Sequence, residues 1–112
     1  MSYYTLNNLV PISLFQGVSG IAEYFRWSRY GRLVIVDIGG IALTSIGTIL
    51  TESNSPLPIM RTRPVAKLIN DQDTTKGATI YGTLNAKDLQ ITAGASLNVR
   101  LYGTLIYLTD EI

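Results

Sequence analysis

Aromatic and cationic side chains are concentrated in one short stretch of the chain. Tyr24, Arg26, Trp27 and Arg29 lie close together in a sequence of which only 15% is charged. An aromatic ring offers a flat apolar surface to the C–H face of a sugar, and tryptophan adds one N–H donor. Arginine binds phosphate or carboxylate through two parallel hydrogen bonds. These residue types predict a saccharide-binding site that prefers an anionic ligand.

Three residues of the C-terminal third extend this candidate surface. Tyr81, Arg100 and Tyr102 carry the same two side-chain types, and tyrosine supplies rigid contact area at a low cost in conformational entropy. Each candidate also has a structural alternative. A tryptophan can belong to the core or to a subunit interface, a tyrosine to cross-strand packing, and an arginine to a solvated surface or a structural ion pair.

Strand geometry restricts how the first cluster can act. Successive side chains of a strand point to opposite faces, so Tyr24 and Arg26 share one face while Phe25 and Trp27 share the other. Burying Arg26 unpaired would cost several kcal/mol. We therefore favour the arrangement in which Tyr24 and Arg26 face the ligand, although Trp27 stays a candidate because it ends the predicted strand. In the opposite arrangement, Phe25 and Trp27 face the ligand and Arg29 joins them from the turn.

The composition argues against several other functions. The chain has no cysteine and no histidine, which excludes disulfides and thiolate metal sites and removes the commonest general base. Asp71 and Asp73 are typical of a polar turn rather than a calcium loop, because further acidic ligands are missing. A net charge of +1 does not favour nucleic-acid binding. We expect no catalysis, no cofactor and no metal.

The elements that must position these residues are predicted to be strands. A length of 112 residues fits one domain, with residues 1–20 as an extended lead-in or neck and residues 21–112 as a β head. Apolar residues alternate through the C-terminal third, with Leu84 and Leu97 counted among the inward-facing ones. The pattern predicts an all-β fold, either an antiparallel β-sandwich or a small β-barrel of jelly-roll type.

The expected strand boundaries follow from runs of β-branched residues and from glycine and proline. Gly39 and Gly40 predict a turn, Gly103 a bulge, and the prolines between residues 52 and 64 an extended loop. The stretch from Leu33 to Leu50 is long enough to cross a membrane, but Asp37 and several glycines favour strands instead. The predicted strands are 21–27, 32–38, 41–44, 47–51, 65–69, 78–84, 89–91 and 97–108.

The order of these pieces resembles a known family. The matching segments are Tyr24-Phe25-Arg26-Trp27, Gly31 to Val36, Leu57-Pro58, Arg63-Pro64, the hairpin from Ala78 to Ile91, and the final strand from Asn98 to Leu108. Together they are similar to the head domain of receptor-binding and tail-fibre proteins from phages of Gram-positive bacteria. The resemblance covers residues 21–109, and its departure is the four-residue insertion Ile59 to Thr62 between the two proline pairs.

The resemblance implies a homotrimer at the tail tip or baseplate of a virion. It implies reversible adhesion to a saccharide of the host cell wall, often one that bears phosphate, with other baseplate or tail proteins as partners. Small domains bury a modest share of their surface, so the low charge fraction independently favours assembly. The alternative is a structural trimeric baseplate or virion-decorating domain without a ligand. Neither reading involves nucleic acid or insertion into a membrane.

Overall fold

The computed structural model describes residues 4–110, and regular structure in this range is almost all strand. Residues 1–3 of the predicted lead-in and residues 111–112 of the predicted head lie outside the described residues. Within the described range there is one 3-10 turn, Ile12–Leu14, and no α-helix. The strands are β1 Tyr4–Leu9, β2 Val18–Tyr30, β3 Leu33–Leu43, β4 Gly47–Leu50, β5 Val65–Ile69, β6 Gly77–Gly82, β7 Leu89–Ile91 and β8 Arg100–Leu108.

All eight strands belong to one antiparallel sheet, in the order β1-β2-β3-β8-β5-β6-β7-β4. The sheet curls into a half-barrel, so the fold is all-β but is not two stacked sheets. The segment just before β2 lies against β4, the last strand in this order. There the backbone N–H of Gln16 donates to the carbonyl of Ile49 at 2.9 Å, and its side-chain amide donates to the carbonyl of Thr48 at 3.0 Å.

The concave inner face holds the core. Because strand residues alternate, every second side chain of β2, β3 and β8 points inward. Phe25, Val36 and Leu105 are almost fully buried there, and further buried residues from β4 to β7 complete the cluster. The loop of residues 51–64 contributes Leu57 and Met60 to the same core. A core of this kind predicts that the sheet folds as one unit.

One glycine pair corrects the sequence prediction most clearly. Gly39 and Gly40 do not form a turn, because β3 continues through them to Leu43. Gly40 has φ of +84° and forms a bulge, so that Gly39 pairs with Tyr102 while Ile41 pairs with Leu101. A turn and a bulge both need the left-handed conformation that glycine adopts easily, so the local sequence does not distinguish them.

The sequence predicts a bulge at Gly103, and this prediction is wrong. Pairing of β3 with β8 is regular at Gly103, and the residue is small for a different reason. A Cβ at this position would lie 2.5 Å from a methyl carbon of Leu68 and 3.0 Å from the carbonyl oxygen of Lys67. The glycine lets β8 pack closely against β5.

The extended N-terminal segment joins the sheet, and two leucines differ from expectation. The predicted lead-in contains a strand, β1, which pairs with the second half of β2 and joins the sheet. Leu84 lies in a turn and Leu97 precedes β8, and both are exposed rather than inward-facing. The strand prediction for residues 65–69 is confirmed. Among the described residues, no helix is long and apolar enough to cross a membrane.

Candidate functional site

Two tyrosines of the candidate set lie in one row across the convex outer face. Tyr24 of β2 pairs with Gly39 of β3, Gly39 pairs with Tyr102 of β8, and Tyr102 pairs with Ile69 of β5. A Cβ on Gly39 would lie only 3.0 Å from two ring carbons of Tyr24, so this ring lies over the glycine. The sheet register therefore brings Tyr24 and Tyr102 to either side of the Gly39–Gly40 bulge.

Small residues form a shallow floor beside these tyrosines. The floor consists of Gly20 and Ala22 of β2 with Gly40 and Ala42 of β3, and it holds a cavity of about 180 Å³. The hydroxyl of Tyr102 would lie 3.2 Å from a Cβ on Gly40, which places the end of this side chain at the floor. We call this floor, with Tyr24, Arg100 and Tyr102, the outer groove.

Arg100 joins the floor to a second, polar cavity. Arg100 lines the small-residue cavity and also a neighbouring cavity of about 250 Å³ with Asn70, Asp71 and Gln72. The Asn70 side chain donates to the carbonyl of Arg100 at 2.8 Å, which fixes the turn against the start of β8. An amide, a carboxylate and a guanidinium thus surround one end of the outer groove, and they can exchange hydrogen bonds with the hydroxyls of a sugar.

Arg26 contacts Tyr24 directly and is held in place by a partner. Its guanidinium carbon lies 4.0 Å from the centroid of the Tyr24 ring, and Nη2 lies 3.2 Å from a carboxylate oxygen of Asp37. The hydroxyl of Thr104 donates to the other Asp37 oxygen at 3.5 Å. Arg26 and Asp37 are both partly exposed. Asp37 compensates the charge of Arg26, and the contact of Arg26 with the Tyr24 ring orients that ring.

Trp27 and Arg29 lie on the opposite, inner face. Trp27 is partly buried and packs against the hydrophobic core, and its strand partner is Val36. Arg29 pairs with Val34, and its Nε donates to the carbonyl of Gly31 at 2.6 Å across the β2–β3 turn. The structure therefore gives Tyr24 and Arg26 the exposed face and places Trp27 and Arg29 away from the outer groove.

Tyr81 shares the outer face but lies apart from the other tyrosines. It pairs with Val65 on β5, whereas Tyr102 pairs with Ile69 at the opposite end of that strand. At a rise of about 3.3 Å per residue, four residues along β5 separate them by about 13 Å. Of the seven predicted site residues, Tyr24, Arg26, Arg100 and Tyr102 are brought together.

The polar turn next to the groove is held by its own side chains. The Asn70 amide oxygen accepts from the backbone N–H groups of Gln72 and Asp73, at 3.0 and 2.9 Å. Hydrogen bonds from the Thr75 hydroxyl and backbone N–H lower the pKa of Asp73 below its ordinary value of 3.8. Within residues 4–110, no group of three or more His, Cys, Asp or Glu is placed to hold a metal ion.

A second concavity adjoins the outer groove and shares Gly20 with it. This cavity, of about 610 Å³, lies between Leu9–Ile12 and Gly20–Phe25, and its lining is mostly apolar with Glu23 as the one charged residue. Tyr24 lines it as well. The two cavities therefore lie side by side along the start of β2.

Sequence reasoning missed the floor and the polar turn of the groove. Their sequence signal is small residues two positions apart on neighbouring strands, Gly20 with Ala22 and Gly40 with Ala42. In a regular strand such residues share a face, but bulges in β2 and β3 shift the register here.

Comparison of the chain with protein-family models, curated proteins and solved structures found no match.

Proposed function

We propose that this chain is a non-catalytic binding domain that holds a saccharide in the outer groove. The observation that carries the proposal is the junction at Arg100, where a small-residue floor beside Tyr24 and Tyr102 meets a polar cavity. A sugar ring can lie on such a floor with its C–H face against an aromatic ring, while its hydroxyls reach polar side chains. A shallow site of this kind suits reversible adhesion.

The biological setting we propose is the receptor-binding head of a phage tail or baseplate. The domain acts from the virion at the host cell surface, as a homotrimer, with a cell-wall saccharide as its ligand and other tail or baseplate proteins as neighbours. The resemblance over residues 21–109 supports this setting. The groove adds a surface on which adhesion can take place, and Arg100 offers a cation to a phosphate-bearing sugar.

A second candidate is a structural virion domain without a ligand. The observation in its favour is a patch of exposed apolar side chains at the other end of the outer face, including Tyr4 and Ile106. The two candidates make different predictions about binding, because a purely structural domain retains no polysaccharide when purified.

The deciding experiment measures retention of purified cell-wall polysaccharides from Gram-positive bacteria on the immobilised protein. We expect at least one preparation to bind, and Tyr102→Ala to weaken that binding roughly tenfold, which corresponds to about 1.4 kcal/mol. Tyr81→Ala is the matched control, since it removes an equivalent half-buried ring about 13 Å from Tyr102 and should bind as the unmodified protein does.

Two results would contradict the proposal. If no preparation is retained by the folded protein, the structural candidate is favoured. If a polysaccharide binds equally well to Tyr102→Ala and Arg100→Ala, adhesion takes place somewhere other than the outer groove.

A further inference from the structure

A row of large apolar side chains crosses the outer face at the end opposite the groove. Tyr4 of β1 pairs with Tyr30 of β2, Tyr30 pairs with Leu33 of β3, and Leu33 pairs with Leu108 of β8. In the next row, Ile35 pairs with Ile106. We call these two rows the apolar rows, and their members are Tyr4, Tyr30, Leu33, Ile35, Ile106 and Leu108.

Five of these six side chains are exposed, and Ile35 is half-buried, although the strands that carry them are well paired. Tyr4 is 65% exposed and Ile106 is 58% exposed. From these exposed fractions, the apolar rows present on the order of 500 Å², a patch size that is often functional on a monomer. A standard interface buries about 800 Å² on each partner. The apolar rows therefore supply more than half of such an interface.

The edge of the sheet beside the apolar rows is a strand without charged residues. β1 is the outermost strand, and among the described residues no strand pairs with its other side. Charged residues, proline and bulges protect edge strands from pairing, and of these the segment Tyr4–Leu9 has only the irregularity between Thr5 and Asn8. The outer side of β1 is therefore available for contact with another chain.

The charges around the apolar rows allow a copy of the same surface to approach. The rows contain no ionisable group except the two tyrosines, and the next row across the face contains Arg26 and Asp37, which pair with each other at 3.2 Å. Because this pair is compensated within one chain, copies of this face can pack together around a three-fold axis without repulsion between like charges.

We propose that the apolar rows and the edge of β1 form the surface on which a second copy of this chain packs. The inference rests on the self-association proposed above and not on the saccharide. Six residues of β2 separate Tyr30 from Tyr24, or about 20 Å along the strand, so contact through the apolar rows leaves the outer groove open. The assembly then presents several grooves to one cell surface.

The test is the mass in solution of two charge variants. Ile106→Glu places a carboxylate in the middle of the apolar rows, and Ile46→Glu places one in the turn between β3 and β4, where the isoleucine is 49% exposed and lies beyond the opposite end of β3 from Leu33. By sedimentation velocity at micromolar concentration, we expect the unmodified protein and Ile46→Glu to have three times the chain mass of 12.3 kDa. Ile106→Glu should sediment as a single chain.

A cross-linking measurement protects the test against a variant that fails to fold. Since the chain has no cysteine, Ile106→Cys and Ile46→Cys each carry one thiol. A short bismaleimide should join chains through position 106 and not through position 46. A single-chain mass for the unmodified protein would overturn self-association and leave the face to a different partner. If the protein assembles, but Ile106→Glu leaves its mass unchanged and position 106 does not cross-link, the choice of surface is overturned. Polysaccharide retention is a separate measurement that reports on the groove.

Discussion

The two ends of the outer face are built in opposite ways from the same strands. At the β1 end, Tyr30 and Leu33 belong to rows of large side chains that stand out from the sheet. At the groove end, the same two strands, β2 and β3, carry glycine and alanine, and Tyr24 lies over Gly39. A flat apolar surface suits another protein surface, whereas a recess beside aromatic rings suits a small ligand. Residue size along one pair of strands is therefore what separates the two proposed roles.

The groove end also depends on an irregularity in the pairing of β2 with β3, which is regular at the other end. β2 and β3 pair without interruption from Tyr24–Gly39 to Tyr30–Leu33, but the register shifts between Ile21 and Tyr24. The Gly40 bulge of β3 lies opposite this shift. Bulges redirect side chains and are common near functional sites. Here the bulges place the side chains of Ala22 and Tyr102 next to Gly40.

The largest expected effect comes from filling that bulge. Gly40→Ala adds a Cβ at φ +84°, where it would lie 2.6 Å from the Cβ of Ala22. Backbone strain and the forced shift should together lower the free energy of unfolding by about 3 kcal/mol. Gly94→Ala is the matched control, since its φ is +89° and no atom lies within 4 Å, so it should cost about 1 kcal/mol. Urea denaturation measures both, and equal losses would show that the bulge is not tightly packed.

Much of the fold was predictable because it follows from local alternation. The inward-facing residues Ala78, Ile80, Leu89 and Ile91 are identified from the sequence and are buried. The strand that forms at β1 was not predictable, because its apolar residues do not alternate and none of them is buried. Its pairing partner, β2, lies beyond a turn of Ile12–Leu14, and this long-range contact has no signal in the segment itself.

A smaller effect should separate ligand binding from stability at the groove end. Gly20 lies on the groove floor, has an ordinary backbone conformation for a strand, and has no other atom within 4 Å of the point that a Cβ would occupy. Gly20→Val should therefore keep or slightly raise stability, by up to about 1 kcal/mol. The added methyl groups narrow the groove, so polysaccharide retention should fall roughly tenfold. Thr79→Val on the outer face of β6 should change neither. Undiminished retention by Gly20→Val would place the ligand outside the floor.

The candidate site was only partly predictable, for a related reason. Residue type identifies Tyr24, Arg26 and Tyr102, and alternation gives Tyr24 and Arg26 one face. Which residues meet across strands depends on the register, and the register is set by the two bulges rather than by the residues of the site. Tyr81 is grouped with Tyr102 from the sequence because both are outward-facing tyrosines, although a whole strand length separates them.

The smallest expected effect concerns one carboxylate at each end. Asp110, near Leu108, has a pKa lowered below 3.8 by the hydrogen bond from Arg61, and the hydrogen bonds from Thr75 similarly lower the pKa of Asp73 at the groove end. A depressed folded-state pKa contributes stability above the unfolded value, and this contribution is lost as pH falls through the folded value. The melting temperature should therefore stay level from pH 7 to pH 5 as far as these groups are concerned, and decline below about pH 4.

Salt should distinguish the two carboxylates. The main partner of Asp110 is a cation, whereas that of Asp73 is a neutral hydroxyl, so molar salt should weaken the acid-dependent contribution of Asp110 and largely spare that of Asp73. Thermal melts of Asp110→Asn and Asp73→Asn from pH 7 to pH 2, at low and high salt, measure both contributions. Below pH 4, the melting temperature of each variant should fall less than that of the unmodified protein. Only for Asp110→Asn should the size of this difference depend on salt. If the difference in melting temperature between Asp73→Asn and the unmodified protein is the more salt-sensitive one, the polar turn beside the groove is held by charge rather than by the hydrogen bonds of Thr75.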